Sequence, residues 1–248
     1  MISLEGKIAL ITGAASGIGL AITSQLLAAK VHVIAIDYNE SALQSLAAYA
    51  EEHDYNLTAV QLDITNEPKI KELSLILQER FGKIDILIAN AAILGDVTPL
   101  HHYNSKLWQK VINTNVTANF CLIKYFHHLL LKARSPQVIF VSCRMSEKNQ
   151  AYWGAYLVSK VALQSLAQIY IEENNNSAIK VNVVDPGVTD TMLRKQAFPE
   201  KKKHLINTPD QAARIFLYCL TQNHVEHGNF LCYNANNEVE LIQKLKWN

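Results

Sequence analysis

The sequence predicts an α/β fold, a doubly wound parallel sheet of about seven strands with helices on both faces. Short apolar runs alternate along the chain with longer segments that carry apolar residues at helical spacing. Through the first four of these runs, no Asn-Gly or Asp-Gly pair signals a tight hairpin. The 248 residues are enough for one sizeable core, so we expect a single domain over residues 1–248.

The predicted strands are short and mostly apolar, and they cover residues 8–12, 31–37, 58–62, 84–90, 137–142, 180–185 and 229–233. Predicted helices lie between them, starting near residue 18 and continuing at 41–52, about 67–81, 104–134, about 152–173 and from 208. Local signals place several helix ends. Pro68 lies in a first turn, where its missing N–H costs nothing, and Gly82 ends the same helix. Thr208 and Gln211 have the spacing of a capping box.

Three glycines separate the first strand from the first helix, in the run Thr12-Gly13-Ala14-Ala15-Ser16-Gly17-Ile18-Gly19. Glycine permits a turn too tight for side chains, so backbone N–H groups and the positive end of the helix can approach a pyrophosphate. The alternative is a glycine-rich turn without a ligand. Because the run lies between a buried strand and a helix, it favours a dinucleotide site.

An acidic residue ends the second strand. Asp37 follows the glycine turn by about 20 residues, where an acid accepts the ribose hydroxyls of adenosine. Its charge would repel a 2′-phosphate, and no Arg or Lys occurs among Ala14, Ala15, Ser16 and Tyr38 to neutralise one. The sequence therefore predicts NAD, with NADP as the less favoured cofactor. The alternative is that Asp37 only begins the next helix.

Other polar residues fall where the pattern predicts core or strand ends. Asn115 lies within the long apolar segment, and a buried amide needs partners, so it either bonds the local backbone or serves a site. Asp63 is a second acid at the end of a strand. Tyr156 and Lys160 are four residues apart, which places both on one face of a helix. Taken alone, such a pair is more often an ordinary feature of a helix face.

Composition excludes several classes of function. The 23 basic and 22 acidic residues give a formal charge of +1, which lacks the basic excess of a protein that binds the nucleic-acid backbone. No apolar run approaches the roughly 20 residues that span a bilayer. The four cysteines show no C-x-x-C spacing, and the N-terminus shows no leader pattern, so we expect a cytoplasmic protein.

Histidine and lysine clusters have ordinary interpretations. The histidines at 101–102 and 127–128 are adjacent and cannot share a metal from one helix face. His224 and His227 lack acidic or cysteine neighbours, so we expect no metal site. The lysines at 201–203 are interpreted as a solvated charge run. Attraction of an anionic substrate, such as an acyl thioester carrier, is the alternative.

Together, and in this order, the motifs resemble the short-chain dehydrogenase/reductase family. They are the glycine turn, Asp63, Asn90-Ala91-Ala92, Asn115, Tyr156-x-x-x-Lys160 and Pro186-Gly187-x-x-x-Thr191. The runs Trp153-Gly154-Ala155-Tyr156, Thr191-Met192-Leu193-Arg194 and Ala197-Phe198-Pro199 look most like a largely uncharacterised bacterial branch. The resemblance implies a Rossmann-type fold and an oxidoreductase that transfers a hydride between nicotinamide and a carbonyl or secondary alcohol.

The resemblance also implies roles for individual residues. Tyr156 acts as acid or base on the substrate oxygen, Lys160 lowers the pKa of that phenol and binds the nicotinamide ribose, and Asn115 holds a water linking Lys160 to solvent. The loop at 189–207 covers a small-molecule substrate, and two long middle helices form a homodimer or homotetramer. The implied cofactor contacts are Gly13, Ser16, Gly17, Ile18, Gly19, Asp37, Asp63, Ile64, Asn90, Tyr156, Lys160, Thr189 and Thr191.

The chain departs from the family pattern, and the first departure leaves the activity open. The family serine that bonds the substrate oxygen lies thirteen residues before the tyrosine, where this chain has Cys143, with Ser142 one residue earlier. A thiol is a weak donor, so either Ser142 takes the role, or Cys143 polarises the oxygen less strongly, or catalysis is lost. Ala92 replaces a usual glycine near the nicotinamide. The rival function is a nucleotide-binding sensor or scaffold without turnover.

Overall fold

The computed structural model describes residues 1–144, 150–198, 206–234 and 238–243. Its strands are β1 (Ile8–Thr12), β2 (His32–Asp37), β3 (Leu57–Gln61), β4 (Ile86–Ala89), β5 (Gln137–Val141), β6 (Lys180–Val184), β7 (Asn229–Tyr233) and β8 (Val239–Gln243). They form one sheet in the order β3-β2-β1-β4-β5-β6-β7-β8. Every neighbouring pair is parallel except β7 and β8, which are antiparallel.

The helices alternate with the strands as the sequence predicts. They are α1 (Gly17–Ala28), α2 (Glu40–Glu52), α3 (Glu67–Phe81), α4 (Ser105–Ile112), α5 (Ala118–Leu130), α6 (Gly154–Glu173), α7 (Met192–Ala197) and α8 (Pro209–Thr221). The capping box of Thr208 and Gln211 is present at the start of α8, and Gly82 ends α3 in the left-handed region at φ +71°. No helix in the described ranges is long and apolar enough to cross a membrane.

The predicted fold class is confirmed, because helices pack on both faces of the sheet. Side chains alternate in direction along a strand, so Leu10 of β1 points to one face while Ala9 and Ile11 point to the other. The first face packs against α3, α5 and α6. The second packs against α1, α2 and α8. Two apolar layers therefore enclose the central strands.

Two details of the prediction were wrong. The sheet has eight strands where about seven were expected, because β8 pairs antiparallel with β7, and Asn234 N also donates to Glu238 O at 2.9 Å. The sequence between these two strands contains no Asn-Gly or Asp-Gly pair. The long helical stretch predicted from 104 is continuous from Ser105 and contains a π-helical turn, Asn113–Thr117, between α4 and α5, but it ends at Leu130 and not near 134.

The order of the strands in the sheet determines where the candidate site lies. β1 lies between β2 and β4, so the chain winds outward in opposite directions from this point. In open parallel sheets, a crevice forms beyond the carboxyl ends of the strands at such a reversal. The loops that follow β1, β4, β5 and β6 all emerge at this edge, and they carry most of the residues singled out by the sequence.

Candidate active site

The glycine turn after β1 is tight and held from one side by Asn90. Gly13 and Gly17 have positive φ angles of +64° and +51°, which side chains rarely adopt. A Cβ atom at Gly19 would collide with the carbonyl oxygen of Gly13 and approach Asn90 Nδ2 to 2.6 Å. Asn90 Nδ2 donates to the carbonyl oxygens of Thr12 at 3.0 Å and Gly13 at 3.2 Å. Asn90 therefore supports the turn from the loop after β4.

The start of α1 fits a diphosphate. Ser16 is the N-cap residue in extended conformation, and its side chain makes no capping hydrogen bond. The first N–H groups of a helix lack intrahelical partners, and the helix dipole favours an anion there. A bulky residue at Gly13, Gly17 or Gly19 would fill this approach. Ile18, within the same first turn, is half-buried.

Asp37 is placed to hold a ribose beside this turn. Its carboxylate is buried, with Oδ2 accepting from Ala15 N at 3.0 Å and Oδ1 from Asn39 N at 3.1 Å. Each carboxylate oxygen can accept a further hydrogen bond. The residue that caps α2 is Asn39, which accepts from Ala42 N at 3.1 Å. Asp37 is therefore not the helix cap that the alternative interpretation required.

The other candidate cofactor contacts line the same edge. Asp63 is exposed after β3 and accepts from Thr65 N at 2.9 Å, whereas Ile64 is buried in the core. Thr189 is buried after β6. Thr191 caps α7, and its Cγ2 would lie 3.3 Å from a Cβ atom built on Gly17. The loop after β6 thus closes against the glycine turn.

Tyr156 and Lys160 meet on α6, one turn apart. The Lys160 ammonium is buried, donates to the carbonyl oxygen of Val141 at 2.8 Å and lies 5.7 Å from the centroid of the Tyr156 ring. Burial lowers the pKa of Lys160, partly opposed by the negative charges of Cys143 and Asp185. The spacing argument therefore identified a real pair, joined to the end of β5.

The pKa of Tyr156 differs from the expected fall. In the chain alone, burial raises it well above the usual value, and the charges at Cys143 and Asp185 raise it further, as does a hydrogen bond to Cys143. The expected fall depends on positive charge near the phenolate, and the Lys160 ammonium beside the Tyr156 ring also bonds a backbone carbonyl. The chain by itself holds Tyr156 as a neutral phenol.

The structure distinguishes Ser142 from Cys143. Ser142 is buried, and its Oγ accepts from Gln164 Nε2 at 2.9 Å. Its backbone N–H still donates to Val184 O at 2.9 Å, so Ser142 continues the pairing of β5 with β6. Cys143 is half-buried, and its side chain is hydrogen-bonded to that of Tyr156. The residue that faces the phenol is the cysteine.

Asn115 lies in the π-helical turn and is fully buried. Its Oδ1 accepts from Ile93 N and its Nδ2 donates to Ile93 O, both at 2.9 Å, and Nδ2 also donates to Ser159 Oγ at 2.9 Å. Ser159 Oγ in turn donates to Tyr156 O at 2.7 Å. Asn115 thus ties the loop after β4 to the helix of Tyr156, and Asn119 Nδ2 bonds the Asn115 carbonyl at 2.8 Å. A water held by Asn115 stays a prediction.

An apolar wall surrounds the reactive side of Tyr156. Leu94, Trp153 and Leu157 form a buried cluster, against which Cys143, Tyr156, Leu193 and Ala197 pack. The Trp153 ring lies edge-on to Tyr156 at 6.1 Å between centroids and 5.4 Å from Phe198. A cavity of about 500 Å³ opens beside Leu94, lined by Leu94, Gly95, Asp96, Val97, Leu107 and Gln196.

Sequence reasoning missed several residues of the site. Asp185 ends β6 as Asp37 ends β2, so the strand-end rule that identified Asp37 also applied there. Gln164 and Ser159 lie on the buried face of α6 with Tyr156 and Lys160, and polar residues on such a face are the available signal. The lysines at 201–203 and residues 199–205 of the predicted substrate loop lie outside the described residues. No group of three His, Cys, Asp or Glu residues suited to a metal occurs among those described.

Comparison with known proteins identifies similar chains. Residues 7–202 match the family model described as short chain dehydrogenase. An uncharacterized oxidoreductase, YciK, of Escherichia coli K12 is 29% identical over 220 residues, which are 88% of this chain and 87% of the relative. The 3-oxoacyl-[acyl-carrier-protein] reductase FabG of Thermotoga maritima is 30% identical over 224 residues, 87% of this chain and 90% of the relative.

Solved structures agree with this match. A short chain dehydrogenase from Shigella flexneri complexed with NADP aligns with a TM-score of 0.85 at 29% identity, covering 91% of this chain and 96% of that one. A short chain dehydrogenase from Escherichia coli CFT073 complexed with NADPH aligns with a TM-score of 0.84 at 29% identity, covering 89% of this chain and 93% of that one. Both structures contain a nicotinamide adenine dinucleotide phosphate.

Proposed function

The chain belongs to the short-chain dehydrogenase family and is an NAD(P)-dependent oxidoreductase, and we propose that it transfers a hydride between nicotinamide and the carbonyl or secondary alcohol carbon of a small organic substrate. The observation that carries the proposal is the meeting of Tyr156, Lys160 and Cys143 at the sheet edge that also carries the glycine turn. An acid, a cation and a donor thus face one place where a substrate oxygen can lie.

Tyr156 moves the proton in this proposal. During reduction its phenol donates a proton to the substrate oxygen, and during oxidation the phenolate removes the alcohol proton. Lys160 stabilises that phenolate, and the Cys143 thiol donates a weak hydrogen bond toward the same oxygen. The nicotinamide, when bound, supplies or accepts the hydride. The raised pKa keeps Tyr156 protonated in the chain alone, which is the form from which carbonyl reduction starts.

The cofactor is held along the sheet edge. The turn from Gly13 to Gly19 binds the diphosphate through Ser16, Gly17 and Ile18, and Asp37 binds the adenosine ribose. The remaining proposed contacts are Asp63, Ile64, Asn90, Tyr156, Lys160, Thr189 and Thr191.

We propose NAD as the preferred cofactor, on the evidence of Asp37. Its carboxylate is buried and accepts two backbone N–H groups, which fix it beside the glycine turn, where it would repel a 2′-phosphate. Relatives of known structure carry NADP or NADPH, so the comparisons support a nicotinamide dinucleotide in general. The preference rests on the residues of this chain.

The apolar wall supports a substrate with an uncharged, apolar substituent beside the carbonyl. Its described members, Leu94, Trp153, Leu157, Leu193 and Ala197, carry no charge, and burial of apolar surface contributes roughly 25 cal/mol per Å². The adjoining cavity of about 500 Å³ is large enough for a small organic molecule. Because a relative is named a 3-oxoacyl reductase, 3-oxoacyl thioesters belong in any substrate panel.

We also propose that the protein is one domain and forms a homodimer or homotetramer through α5 and α6. Those helices expose Phe120, Val158 and Ile169, which are 48%, 46% and 57% accessible. Apolar side chains of this size on the outside of two helices are suited to an interface between copies.

The second candidate is a nucleotide-binding sensor or scaffold without turnover. The replacement of a hydroxyl by the Cys143 thiol favours it, since the thiol is a poor donor to a developing oxyanion. The intact set of Tyr156, Lys160 and Asn115 favours the enzyme.

A panel of carbonyl compounds with NADH and NADPH, and of alcohols with NAD and NADP, tests the proposal. The matched variant is Tyr156→Phe, which keeps the ring and its packing and removes the proton donor. We expect cofactor binding to persist and the chemical step to fall by about 10²–10⁴-fold. Turnover that survives this change undiminished contradicts the mechanism. Bound cofactor with no turnover across the panel supports the scaffold instead.

A further inference from the structure

Asp185 is a buried carboxylate at the carboxyl end of β6 that the catalytic roles above leave unused. It is 8% accessible. Its Oδ2 accepts from Arg144 N at 2.7 Å, and its Oδ1 accepts from Gly187 N at 2.8 Å. One carboxylate therefore joins two loops of the site, the loop after β5 and the turn after β6.

These loops carry functional residues. Arg144 follows Cys143 directly, so the bond to Arg144 N holds the backbone beside the thiol that contacts Tyr156. Gly187 has φ +72° and begins the segment that leads to Thr189 and Thr191. Hydrogen bonds from N–H groups to a charged acceptor are about twice as strong as those to a neutral one. A carboxylate is thus a firmer bridge than an amide.

The charge of Asp185 reaches the reactive pair as well. For Tyr156, burial raises the pKa, and Cys143 and Asp185 raise it further. For Lys160, burial lowers the pKa, and Cys143 and Asp185 oppose that fall. Cys232 of β7 also lies near Asp185. The pKa of the Cys232 thiol is raised mainly by burial, and Asp185 is among the smaller causes that raise it. The Arg144 guanidinium lies 3.6 Å from Cys232 Sγ and 4.0 Å from Glu240 Oε2, so a cation and a second carboxylate lie nearby as well.

We propose that Asp185 is a positioning residue, whose carboxylate fixes the Cys143 loop to the turn after β6 and supplies a negative charge beside Tyr156 and Lys160. In this proposal it acts through Cys143, Tyr156 and Lys160 and not by direct contact with the substrate. Holding the Cys143 thiol against the Tyr156 phenol keeps both groups within reach of the same substrate oxygen. Holding the proton on Tyr156 keeps the site ready to reduce a carbonyl.

The positioning is tested without any substrate. Amide hydrogen exchange at Arg144 and Gly187 is measured by NMR in the wild type and in Asp185→Ala. Loss of a charged acceptor should speed exchange at both amides by about ten- to hundredfold, while β5 core amides keep their rates. The matched control is Asp85→Ala, because Asp85 is equally buried, accepts from Ile8 N at 3.0 Å and lies at the opposite edge of the sheet. It should leave both amides unchanged.

The charge is tested by the pH profile of alcohol oxidation, and this measurement rests on the proposed function. Oxidation needs the phenolate, so its rate rises with pH through the apparent pKa of the Tyr156–Lys160 pair. Asp185→Asn removes the charge that favours the proton, so the profile should move to lower pH. On the rising limb, the rate relative to its own plateau should increase by on the order of tenfold, the effect of one nearby unit charge. Asp85→Asn should not move the profile.

The two measurements separate the possible failures. Unchanged exchange at Arg144 and Gly187 overturns the positioning role, whether or not a substrate is known. A profile of Asp185→Asn that coincides with the wild type overturns the electrostatic role, even if turnover drops. Faster exchange in Asp185→Ala with no turnover by the wild type in any panel supports the positioning role and defeats the proposed function instead.

Discussion

Replacing Cys143 by serine should raise the rate of carbonyl reduction, because a strong hydrogen-bond donor takes the place of a weak one beside Tyr156. The cysteine side chain is half-buried, packs against Leu94, Trp153 and Leu157, and is hydrogen-bonded to the phenol. Serine is nearly the same size, so Cys143→Ser keeps the geometry and changes the donor strength.

The size of the effect follows from the role of such a donor. Removing one good oxyanion donor costs about 10²–10³-fold in turnover. The thiol already supplies a part of that stabilisation, so we expect a gain of about 10- to 100-fold. The exchange of sulfur for oxygen also loses some apolar contact with the wall, and this should lower the free energy of unfolding by on the order of 1 kcal/mol.

The assay follows NADH consumption under single-turnover conditions with NADH and with deuterated NADH. An isotope effect shows that the hydride step is being measured rather than product release. Ser142→Ala is the matched control, since Ser142 Oγ faces Gln164 and not the phenol. It should leave the hydride step unchanged while removing a buried acceptor, which costs about 1–3 kcal/mol of stability in thermal unfolding.

Two results would refute this reasoning. A Cys143→Ser protein that folds, binds NADH and reduces no faster would show that residue 143 does not address the substrate oxygen. A large loss of the hydride step in Ser142→Ala, with stability unchanged, would mean that the loop rearranges on binding and presents Ser142 instead. In that case Cys143 has only a packing role.

Two further predictions concern the cofactor. Thermal shift titrations should show larger stabilisation by NAD(H) than by NADP(H), about 2.7 kcal/mol at a hundredfold excess over the dissociation constant, and Asp37→Ala should narrow the gap by removing the repulsion; equal shifts in the wild type would contradict the preference. Gly19→Ala should abolish dinucleotide binding, because the added methyl group meets the Gly13 carbonyl and Asn90 Nδ2. Gly82→Ala, where a Cβ atom meets nothing within 4 Å, is its control and should bind normally, with only a modest loss of stability from its φ of +71°.

The sequence determined those features that depend on local periodicity and backbone geometry. Buried parallel strands read as continuous apolar runs, and a turn between strand and helix that must approach an anion requires glycine, so β1, α1 and the turn at Gly13 to Gly19 were predictable. The same holds for Asp37 at a strand end and for Tyr156 and Lys160, since two residues spaced four apart on a helix share a face.

The tertiary structure decided how these pieces face one another. Whether Ser142 or Cys143 contacts Tyr156 depends on where the pairing of β5 with β6 ends. Ser142 N still donates to Val184 O, so Ser142 keeps its strand conformation and its side chain faces Gln164. That bond joins residues 42 positions apart in the sequence, and no local pattern encodes it.

The same reason explains the other differences. The π-helical turn at Asn113–Thr117 accompanies bonds between Asn115 and Ile93, and β8 exists because β7 offers it an edge. The proton affinity of Tyr156 follows from burial and from Asp185, whose carboxylate arrives from a different strand. Spacing along the chain determines which residues share an element, whereas charge, burial and hydrogen bonding in the site arise from elements brought together by the sheet.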